Sequence, residues 1–394
     1  MQTKTIAVEC PVYDSFRVQQ AAGMFDLPLE ERAKDEFQYE MPELDEDWKI
    51  GLIVGPSGSG KSTVARDAFG DRLYAEQSWP GDQAVLDGIG DMSTKEITQL
   101  FTAVGFSSPP SWVKPYRVLS NGEQFRCDLV RALASGILER RSEEKNTGSE
   151  SDESGGESNK GLVVFDEFTS VVDRTVAKVG SAAVSKGIRT DRIPCRFIAV
   201  TCHYDVAEWL EPDWILDMAT STVARRRLRR PPIELEVFRC KREAWDLFKK
   251  HHYLSGSISP TARCFMATWN GLPVAFSATV SVIGRAKHRW RGTRLVVLPD
   301  YQGLGIGMAL TEAVFQLHLD EGHRVTLTAS HPAVVAYCKK SPRWKATRFL
   351  KTGSVQQKSF VKGYRSSAGR AVVAFEYLGA RGEEFALKQN NSAL

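Results

Sequence analysis

The sequence lacks the features that mark membrane-spanning, secreted and zinc-binding proteins. No run of 18 or more apolar residues occurs among its 394 residues, so we expect no membrane span. The first ten residues, MQTKTIAVEC, lack the apolar core of a signal peptide. The seven cysteines form no CxxC pair, which argues against both a disulfide framework and a zinc site. These absences favour a cytoplasmic protein with reduced thiols.

The positive charge is concentrated in one half of the chain. From Arg225 to the end there are 29 Lys and Arg residues against 11 Asp and Glu, a net charge of +18. Because the whole chain carries +4, residues 1–224 carry −14. A basic half of this size favours contact with a polyanion such as nucleic acid. The alternative is a basic surface without a specific partner.

The length of the chain predicts two domains, because 394 residues exceed one typical domain. The basic run and two prolines in ARRRLRRPP precede a new alternating strand, which places the boundary near Arg230. The first domain then covers residues 1–230 and the second residues 231–380, followed by a tail at 381–394. Residues 141–160 are polar and of low complexity, so we expect a disordered insertion within the first domain.

A glycine-rich segment that follows an apolar strand matches the phosphate-loop pattern GxxxxGK[ST]. Its glycines let backbone N–H groups wrap a phosphate, and the helix that begins after them adds a favourable dipole. Lys61 is expected to reach the β- and γ-phosphates of ATP, and the Ser62 hydroxyl is expected to bind Mg²⁺. The predicted ATP-binding segment is Gly55, Pro56, Ser57, Gly58, Ser59, Gly60, Lys61, Ser62 and Thr63.

Further segments follow in a fixed order. Residues 119–124 read LSNGEQ, residues 162–167 form an apolar strand ending in Asp and Glu, and residues 197–203 form a strand ending in His. Together with the phosphate loop, these segments resemble the signature, Walker B and switch-histidine motifs of ABC-type ATPases. The resemblance covers roughly residues 1–224.

The ABC resemblance implies a role for each motif residue. Asp166 would lie near Mg²⁺, Glu167 would orient and deprotonate the attacking water, and His203 would be the switch histidine. In this family the signature completes the ATP site of a second copy. The resemblance therefore implies a homodimer that holds two ATP molecules head to tail, closed by ATP and opened by hydrolysis. Ser120, Gly122 and the D-loop residue Asp173 would contact ATP at that interface.

Two parts of the predicted ATP site stay open. The Q-loop glutamine is either Gln83 or Gln77, and Gln83 is preferred. The aromatic residue that stacks on adenine is Phe16, Tyr39 or Trp48, and each of these is equally compatible with a place in the core.

The second half carries another glycine loop between a strand and a helix. The segment RLVVLPDYQGLGIGMAL contains Gln302-x-x-Gly305-x-Gly307 and resembles the pyrophosphate loop of GNAT acyltransferases. Small residues there let backbone N–H groups approach the pyrophosphate of acyl-CoA. A Rossmann dinucleotide loop is the alternative, weakened because no acidic residue closes a second strand at the expected distance. The predicted acyl-CoA site is Leu298, Gln302, Gly303, Leu304, Gly305, Ile306 and Gly307.

Two side chains of the second half are candidates for acyl-transfer chemistry. GNAT enzymes often carry a tyrosine near the CoA sulfur as general acid, and Tyr337 occupies the corresponding predicted helix. His252-Tyr253, with Arg294 downstream, resembles the pattern of Mom-type phage DNA-modifying enzymes, which are GNAT relatives. His252 is then a candidate base. Packing or surface roles are the alternatives for both residues.

The expected fold class is α/β, with a P-loop NTPase domain of ABC type followed by a mixed α+β GNAT-like domain. The favoured function is an ATP-gated clamp that carries an acetyl-CoA-dependent N-acyltransferase to nucleic acid, with ATP, Mg²⁺ and acetyl-CoA bound. An extruded base would be the acceptor. The alternatives are acetylation of a protein or small amine regulated by the ATPase, a non-catalytic sensor of CoA or nucleic acid, and the ATPase subunit of a transporter.

Overall fold

The computed structural model describes residues 2–11, 13–26, 32–74, 78–146, 161–225, 229–252, 256–282, 288–351 and 371–379. These ranges carry fifteen strands and ten α-helices. The strands are β1 Gln2–Pro11, β2 Arg32–Met41, β3 Ile50–Val54, β4 Leu73–Tyr74, β5 Leu162–Phe165, β6 Arg196–Thr201, β7 Trp214–Asp217, β8 Thr222–Ala224, β9 Glu236–Cys240, β10 Arg263–Trp269, β11 Leu272–Ser281, β12 Arg289–Val297, β13 Arg324–Ala329, β14 Trp344–Leu350 and β15 Val372–Tyr377. The helices are α1 Phe16–Phe25, α2 Lys61–Phe69, α3 Thr94–Ala103, α4 Pro109–Trp112, α5 Asn121–Asn146, α6 Arg174–Arg189, α7 Ala207–Leu210, α8 Trp245–Phe248, α9 Ile306–Asp320 and α10 Pro332–Lys340.

The chain divides into two compact units that do not follow the order of the sequence. The first unit comprises residues 1–77, 135–171 and 194–229. The second comprises residues 78–134, 172–193 and 230–394. The segment that contains the predicted signature motif therefore belongs to the same unit as the predicted acyl-CoA loop.

The first unit is built on a six-stranded sheet in the order β4-β5-β6-β3-β7-β8. The first five strands are parallel, and β8 runs antiparallel to β7. Every residue of β3, β5 and β6 is buried, as expected for parallel strands that are covered on both faces. Strands β1 and β2 form a separate antiparallel pair, and the side chains of Ile6 and Phe37 pack against the core of the sheet.

The second unit contains a seven-stranded mixed sheet in the order β14-β15-β13-β12-β11-β10-β9. Only the β12–β13 pair is parallel. Helix α9 packs on the central strands β11, β12 and β13, and its Phe315 is fully buried. This arrangement places the start of α9, which follows the predicted acyl-CoA loop, beside the middle of the sheet.

Helices from residues 78–134 and 172–193 complete the second unit. Helix α6 contacts the 3₁₀ turn Pro299–Tyr301 just before the glycine loop, and α10 contacts α3. The Trp112 indole lies 6.2 Å from the His331 ring, measured between centroids. These contacts join the helical segments to residues that the sequence assigns to the GNAT-like domain.

Two sequence expectations concern segment boundaries. Helix α5 continues through Asn146, so the prediction of disorder for residues 141–160 is wrong for its first six residues. Those residues, RSEEKN, are mostly Arg, Glu and Lys, which have high helix propensity despite their low-complexity appearance. Residues 147–160 and the tail at 381–394 lie outside the described residues. The boundary near Arg230 stays a prediction; the last segment of the second unit begins at that residue.

The α/β fold class predicted from the sequence is confirmed. The chain combines a mostly parallel sheet, a glycine loop followed by a helix, and a mixed seven-stranded sheet. None of the helices in the described ranges is both long and apolar enough to cross a bilayer.

Candidate functional site

The phosphate loop connects β3 to α2 in the first unit. Gly58 and Gly60 adopt φ values of 80° and 81°, which L residues with side chains rarely adopt. Lys61 is 8% exposed, and its Nζ donates to the Pro56 carbonyl oxygen at 2.7 Å across the loop. The Ser59 hydroxyl is buried without a hydrogen-bond partner among the described residues. A bound phosphate would supply the missing acceptor.

The predicted carboxylates leave the same edge of the sheet as the phosphate loop. Strands β3 and β5 both pair in parallel with β6, which lies between them. The last residue of β3, Val54, is opposite Thr201, and the last residue of β5, Phe165, is opposite Ala199. Because adjacent strands lie about 4.8 Å apart, the segments after β3, β5 and β6 meet at one edge. Asp166, Glu167 and His203 all stand in those segments.

Strained backbone follows the carboxylate strand. Glu167 has φ +50° and Thr169 has φ +68°, although neither is glycine. The Ser170 hydroxyl donates to Glu167 Oε2 at 2.5 Å, and the Glu167 N–H donates to Asp166 Oδ1 at 2.9 Å. Strain of this kind persists where neighbouring contacts fix it, and it is frequent at functional sites. The exposed Glu167 carboxylate is thus held in place by its own turn.

The aromatic candidates for adenine stacking have different environments. Tyr39 and Trp48 are buried in the core, where the Tyr39 hydroxyl donates to Asp67 at 2.9 Å and the Trp48 indole donates to the Glu43 carbonyl at 3.1 Å. Phe16 is 80% exposed. Phe37, which the sequence analysis did not select, touches the phosphate loop: a Cβ on Gly60 would lie 2.6 Å from its ring. Its position on β2, two residues before Tyr39, is the clue that could have identified it.

The signature segment starts helix α5 in the second unit. The Ser120 N–H and hydroxyl each donate to Glu123 Oε2 at 3.0 Å, and Ser111 donates to the other oxygen at 2.7 Å. Burial raises the pKa of Glu123, but these hydrogen bonds outweigh burial and lower it overall. Gly122 faces Val176, which a Cβ would approach to 3.3 Å. The Glu123 carboxylate thus holds together the start of this segment.

The other ATP-site predictions in the second unit are a turn residue and a helix cap. Gln83 is exposed in the turn before the 3₁₀ helix Val85–Gly88. Asp173 caps α6: its Oδ1 accepts from the Thr175 N–H at 2.7 Å, and this bond lowers the pKa of the carboxylate. Both assignments stay predictions, and Gln77 lies outside the described residues.

The predicted acyl-CoA loop has the backbone of a phosphate cradle. Gly303 and Gly305 adopt φ values of 92° and 96°, and α9 begins directly after Gly305. A Cβ on Gly307 would lie 3.0 Å from Val297, so the helix starts close against β12. No described residue accepts a hydrogen bond from the backbone N–H groups of residues 303–307. These groups are therefore available to an anion.

Residues from outside the GNAT-like sequence cover one side of this loop. The Ser107 N–H donates to Gln302 Oε1 at 2.7 Å, and Gln302 Nε2 donates to the Val297 carbonyl at 3.1 Å. A Cβ on Gly105 would lie 2.6 Å from the Gln302 carbonyl oxygen. A Cβ on Gly303 would lie 2.8 Å from the Cβ of Ala183 on α6. The Gln302 side chain thus holds the loop in place, a role that the sequence did not reveal.

The two parallel strands beside the loop separate at their carboxyl ends. Their pairing ends at Gly292 and Leu327, whereas β12 continues to Val297 and β13 continues to Ala329. Beyond that point β12 pairs only with β11, and β13 only with β15. The unpaired end of β12 leads directly into the segment that carries the glycine loop.

Tyr337 lies on α10 and is 39% exposed. Its hydroxyl donates to Glu312 Oε1 at 3.0 Å, and the same buried carboxylate accepts from Arg343 at 3.0 Å and from Trp344 at 2.8 Å. Burial and the Glu312 charge raise the pKa of Tyr337 to about 12. The hydroxyl therefore keeps its proton at neutral pH. Its assignment as general acid stays a prediction.

His252 and Arg294 are neighbours of one tryptophan. The His252 ring lies 5.5 Å from the Trp245 ring in an edge-on arrangement, and the Arg294 guanidinium carbon lies 6.0 Å from the same ring. Arg294 is 8% exposed and donates to the backbone carbonyls of Thr293 and Ser257. Tyr253, the remaining residue of the pattern, lies outside the described residues.

Comparison with known proteins identifies one domain family. Residues 260–340 match the family model described as Acetyltransferase (GNAT) domain, so the chain contains a domain of this type. This match covers α9 and the whole glycine loop. It also supports the prediction that the chain is an enzyme. A search of curated proteins finds no match for the chain.

Solved structures of two kinds are similar to part of the chain. The ribosomal-protein-S18-alanine N-acetyltransferase from Escherichia coli is 17% identical, with 39% of this chain and 99% of that chain covered at a TM-score of 0.29. The IAA acetyltransferase from Bacillus cereus is 13% identical, with 36% and 99% covered at a TM-score of 0.28. A bacterial ABC transporter cassette solved as a dimer is 17% identical, with 48% and 88% covered at a TM-score of 0.33.

Proposed function

We propose that the chain is an ATP-hydrolysing ABC-type ATPase joined to an acetyl-CoA-dependent N-acetyltransferase that modifies nucleic acid. The main support for the proposal is that the same backbone conformation, a left-handed glycine at the start of a helix, occurs twice. Gly60 and Gly305 are both left-handed glycines that directly precede a helix, with φ, ψ of 81°, 10° and 96°, 4°. Each follows a strand and a glycine loop, the arrangement that binds phosphate esters at helix N-termini.

The residues of the first unit suit ATP hydrolysis. Lys61 lies in the loop that would hold the β- and γ-phosphates, and its buried amine needs only to exchange the Pro56 carbonyl for a phosphate oxygen. The Ser62 hydroxyl and the Asp166 carboxylate offer the oxygen ligands that Mg²⁺ takes when it arrives with ATP. Glu167 is held by Ser170 and would accept a proton from the attacking water.

The distribution of motifs supports a homodimer as the hydrolysing species. Each chain carries one phosphate loop and one signature segment. In the ABC resemblance, Ser120 and Gly122 of one copy meet the ATP bound by the other, and Asp173 and His203 complete the contact. Two ATP molecules would then be enclosed between two copies, and hydrolysis would release them.

The second unit supports acetyl transfer to an amine. The N–H groups of residues 303–307 would hold the pyrophosphate of acetyl-CoA, and the opening between β12 and β13 would receive its pantetheine arm. The amine nitrogen attacks the thioester carbonyl carbon, a C–N bond forms and the C–S bond breaks. Tyr337 would give a proton to the departing thiolate, and His252 would accept the proton that the amine loses.

The charge of the chain favours nucleic acid as the partner. The net charge of +18 from Arg225 onwards can neutralise backbone phosphates. Within this region His252 and Arg294 both lie beside Trp245, and we assign them to the base-modifying site that the Mom-type resemblance implies. A base turned out of the helix would present its exocyclic amine to the acetyl group.

Mass spectrometry of DNA, RNA and protein from cells that express the chain tests the proposal. An acetylated base is expected with the natural chain and not with Gly305→Glu, which places a carboxylate at the anion cradle. Gly322→Glu is the matched control, because Gly322 also has positive φ (79°) near the opposite end of α9, where a Cβ meets no atom within 4 Å. Acetyl groups found only on protein or small amines would contradict the nucleic-acid assignment. Retention of CoA without any acetylated product would favour the sensor alternative.

A further inference from the structure

A lysine from the helix between two ATPase motifs reaches the acyl-CoA loop. Lys186 lies on α6, which begins after the predicted D-loop residue Asp173. Its Nζ donates to the Leu304 carbonyl at 3.2 Å and lies 3.3 Å from the position that a Cβ on Gly305 would occupy. An ammonium group has three donors. Among the described residues, Leu304 is the only hydrogen-bond acceptor of the Lys186 ammonium, so two donors remain for a ligand.

Close backbone packing fixes α6, the helix that carries Lys186, against the loop. Gly303 touches both the Ala183 side chain, one turn before Lys186, and the backbone of Gly105, at distances that leave no room for a Cβ. The loop and α6 therefore cannot slide past each other without losing these contacts. Lys186 belongs to the wall of the site rather than to a mobile surface.

A second cation is connected to Lys186 through a threonine. The Thr190 hydroxyl donates to the Lys186 carbonyl at 2.7 Å and accepts from Arg192 Nε at 3.1 Å. Burial lowers the pKa of Lys186, and the positive charges of Arg192 and Arg230 lower it further. These positive charges repel the Lys186 ammonium, and an anion bound at that ammonium relieves the repulsion.

The backbone N–H groups of the loop and the Lys186 ammonium both favour an anionic ligand. The free N–H groups of residues 303–307 lie at the start of α9. The Lys186 ammonium approaches the same loop, 3.3 Å from the position that a Cβ on Gly305 would occupy. Backbone N–H groups and a lysine amine together are the groups that proteins use for phosphate esters.

We propose that Lys186 is a ligand of the acyl-CoA pyrophosphate, so that the acyl-CoA site is built jointly by the GNAT-type loop and by the helix that follows the Walker B segment. The inference rests on the proposed acyl-CoA function and adds a residue that no GNAT sequence segment contains. Helix α6 has 16 residues, so Asp173 and Lys186 lie about 20 Å apart on one rigid rod. A movement of Asp173 when ATP is bound would then reach the pyrophosphate directly.

Calorimetric titration of the full chain with CoA, dephospho-CoA and acetyl-pantetheine tests the inference. Lys186→Gln keeps a donor for the Leu304 carbonyl and removes the charge. We expect it to weaken binding of CoA and dephospho-CoA equally, by at least about tenfold. Binding of acetyl-pantetheine, which has no pyrophosphate, is expected to stay unchanged. Lys186→Arg keeps the charge and is expected to retain most of the affinity.

Lys178→Gln is the matched control, because Lys178 lies on the same helix two turns before Lys186. Unchanged CoA affinity in Lys186→Gln would overturn the inference while leaving an acyl-CoA site in place. A loss restricted to CoA would assign the lysine to the 3′-phosphate and overturn the pyrophosphate assignment. A loss for ATP or duplex DNA, with CoA affinity unchanged, would also overturn it. If the natural chain bound neither CoA nor acetyl-CoA, the proposed function itself would fail. Should Lys186→Gln not fold, the ratio of CoA to acetyl-pantetheine affinity in Lys186→Met, which also removes the charge, gives the same test.

Discussion

Ser107 and Gln302 are joined by a hydrogen bond of 2.7 Å from backbone N–H to side-chain oxygen, although 195 residues separate them in the sequence. Ser107 lies between the phosphate loop and the signature segment, and Gln302 opens the acyl-CoA loop. The first residue of the GNAT-type motif therefore contacts a segment that the sequence analysis assigns to the first domain. The helical segments of residues 78–134 and 172–193 form one compact unit with the acetyltransferase residues.

Replacing Glu167 by glutamine is expected to trap an ATP-bound dimer. ATP binding uses Lys61 and Ser62 and should persist, whereas hydrolysis should fall about 100-fold or more because the water loses its base. Gel filtration with ATP and Mg²⁺ measures the dimer. Glu208→Gln, at an exposed glutamate of α7, should behave like the natural chain. A Glu167→Gln protein that stays monomeric at saturating ATP would argue against the clamp.

Binding to nucleic acid is expected to be salt-sensitive through the arginines at the predicted domain junction. Each phosphate contact contributes a slope of about −0.9 in log K against log salt on duplex DNA. Replacing Arg225, Arg226, Arg227, Arg229 and Arg230 by serine should flatten the slope by several units and leave ATP turnover without DNA nearly unchanged. Arg225 pairs with Glu46, while Arg226 and Arg227 lie outside the described residues.

Fluorescence anisotropy on a short duplex and on a single strand, at several salt concentrations, decides the role of this run. The double variant Lys339→Ser with Lys340→Ser removes exposed charge elsewhere and serves as the control. Equal slopes for the natural chain and the five-serine variant would assign the run to a solvated linker. No binding by the natural chain would contradict the nucleic-acid proposal.

Gly303→Ala is expected to destabilise the second unit strongly. Its φ of 92° is strained for alanine, and the new methyl group would collide with Ala183 and Gly105. The free energy of unfolding should fall by about 2 to 4 kcal/mol. Gly322→Ala has the same kind of strain but open space, and it should cost about 1 kcal/mol. Urea unfolding measures both, and equal losses would show that α6 does not pack against the loop.

His318 is expected to make the second unit less stable as the pH falls. The residue is 1% exposed, its Nε2 lies 2.9 Å from the Thr279 hydroxyl, and burial together with Arg263 lowers its pKa to about 4. Between pH 6.5 and 4 the unfolded chain therefore binds more protons than the folded chain. The contribution of neutral His318 to the free energy of unfolding is fully present above pH 6.5 and is lost as the pH falls towards 4. The loss between pH 7 and pH 5 should be about 2 kcal/mol.

Urea unfolding at several pH values tests this assignment. In His318→Gln the pH dependence over that window should shrink by the same amount, because the titrating group is gone. His288→Gln, at an exposed histidine, is the control and should keep the pH dependence of the natural chain. An unchanged pH profile in His318→Gln would assign the dependence to other groups.

The sequence revealed the parts of the site whose chemistry is local. A glycine loop between a strand and a helix can bind phosphate in any fold. Gly58, Gly60 and Gly305 could therefore be recognised from their spacing and from the strand and helix beside them. The order of β5, β6 and β3 brings Asp166 to the expected edge because parallel strands ending in polar residues share one edge. Helix α5 extends to Asn146, past residue 141 where the sequence predicted disorder. Glu, Arg and Lys are common both in helices and in polar linkers, so composition could not separate the two.

Long-range contacts could not be predicted in the same way. Nothing in the periodicity of α6 distinguishes Lys186, which meets the acyl-CoA loop, from Lys178 on the same helix. Gly105 contacts Gly303 because two backbone segments approach closely, and the sequence does not show which segment a given glycine will contact. Aromatic residues gave the same difficulty: Tyr39 and Trp48 are core residues, whereas Phe37 on β2 packs against the phosphate loop.

The most direct test of the central claim follows the acetyl group itself. The purified chain is incubated with acetyl-CoA labelled in the acetyl carbon, with duplex DNA, single-stranded DNA or RNA, and with or without ATP and Mg²⁺. We predict label on a base amine in the nucleic acid for the natural chain, and none for Gly305→Glu, with Gly322→Glu behaving as the natural chain. Label that remains in acetyl-CoA, or that appears only on protein or free amines, would contradict the claim.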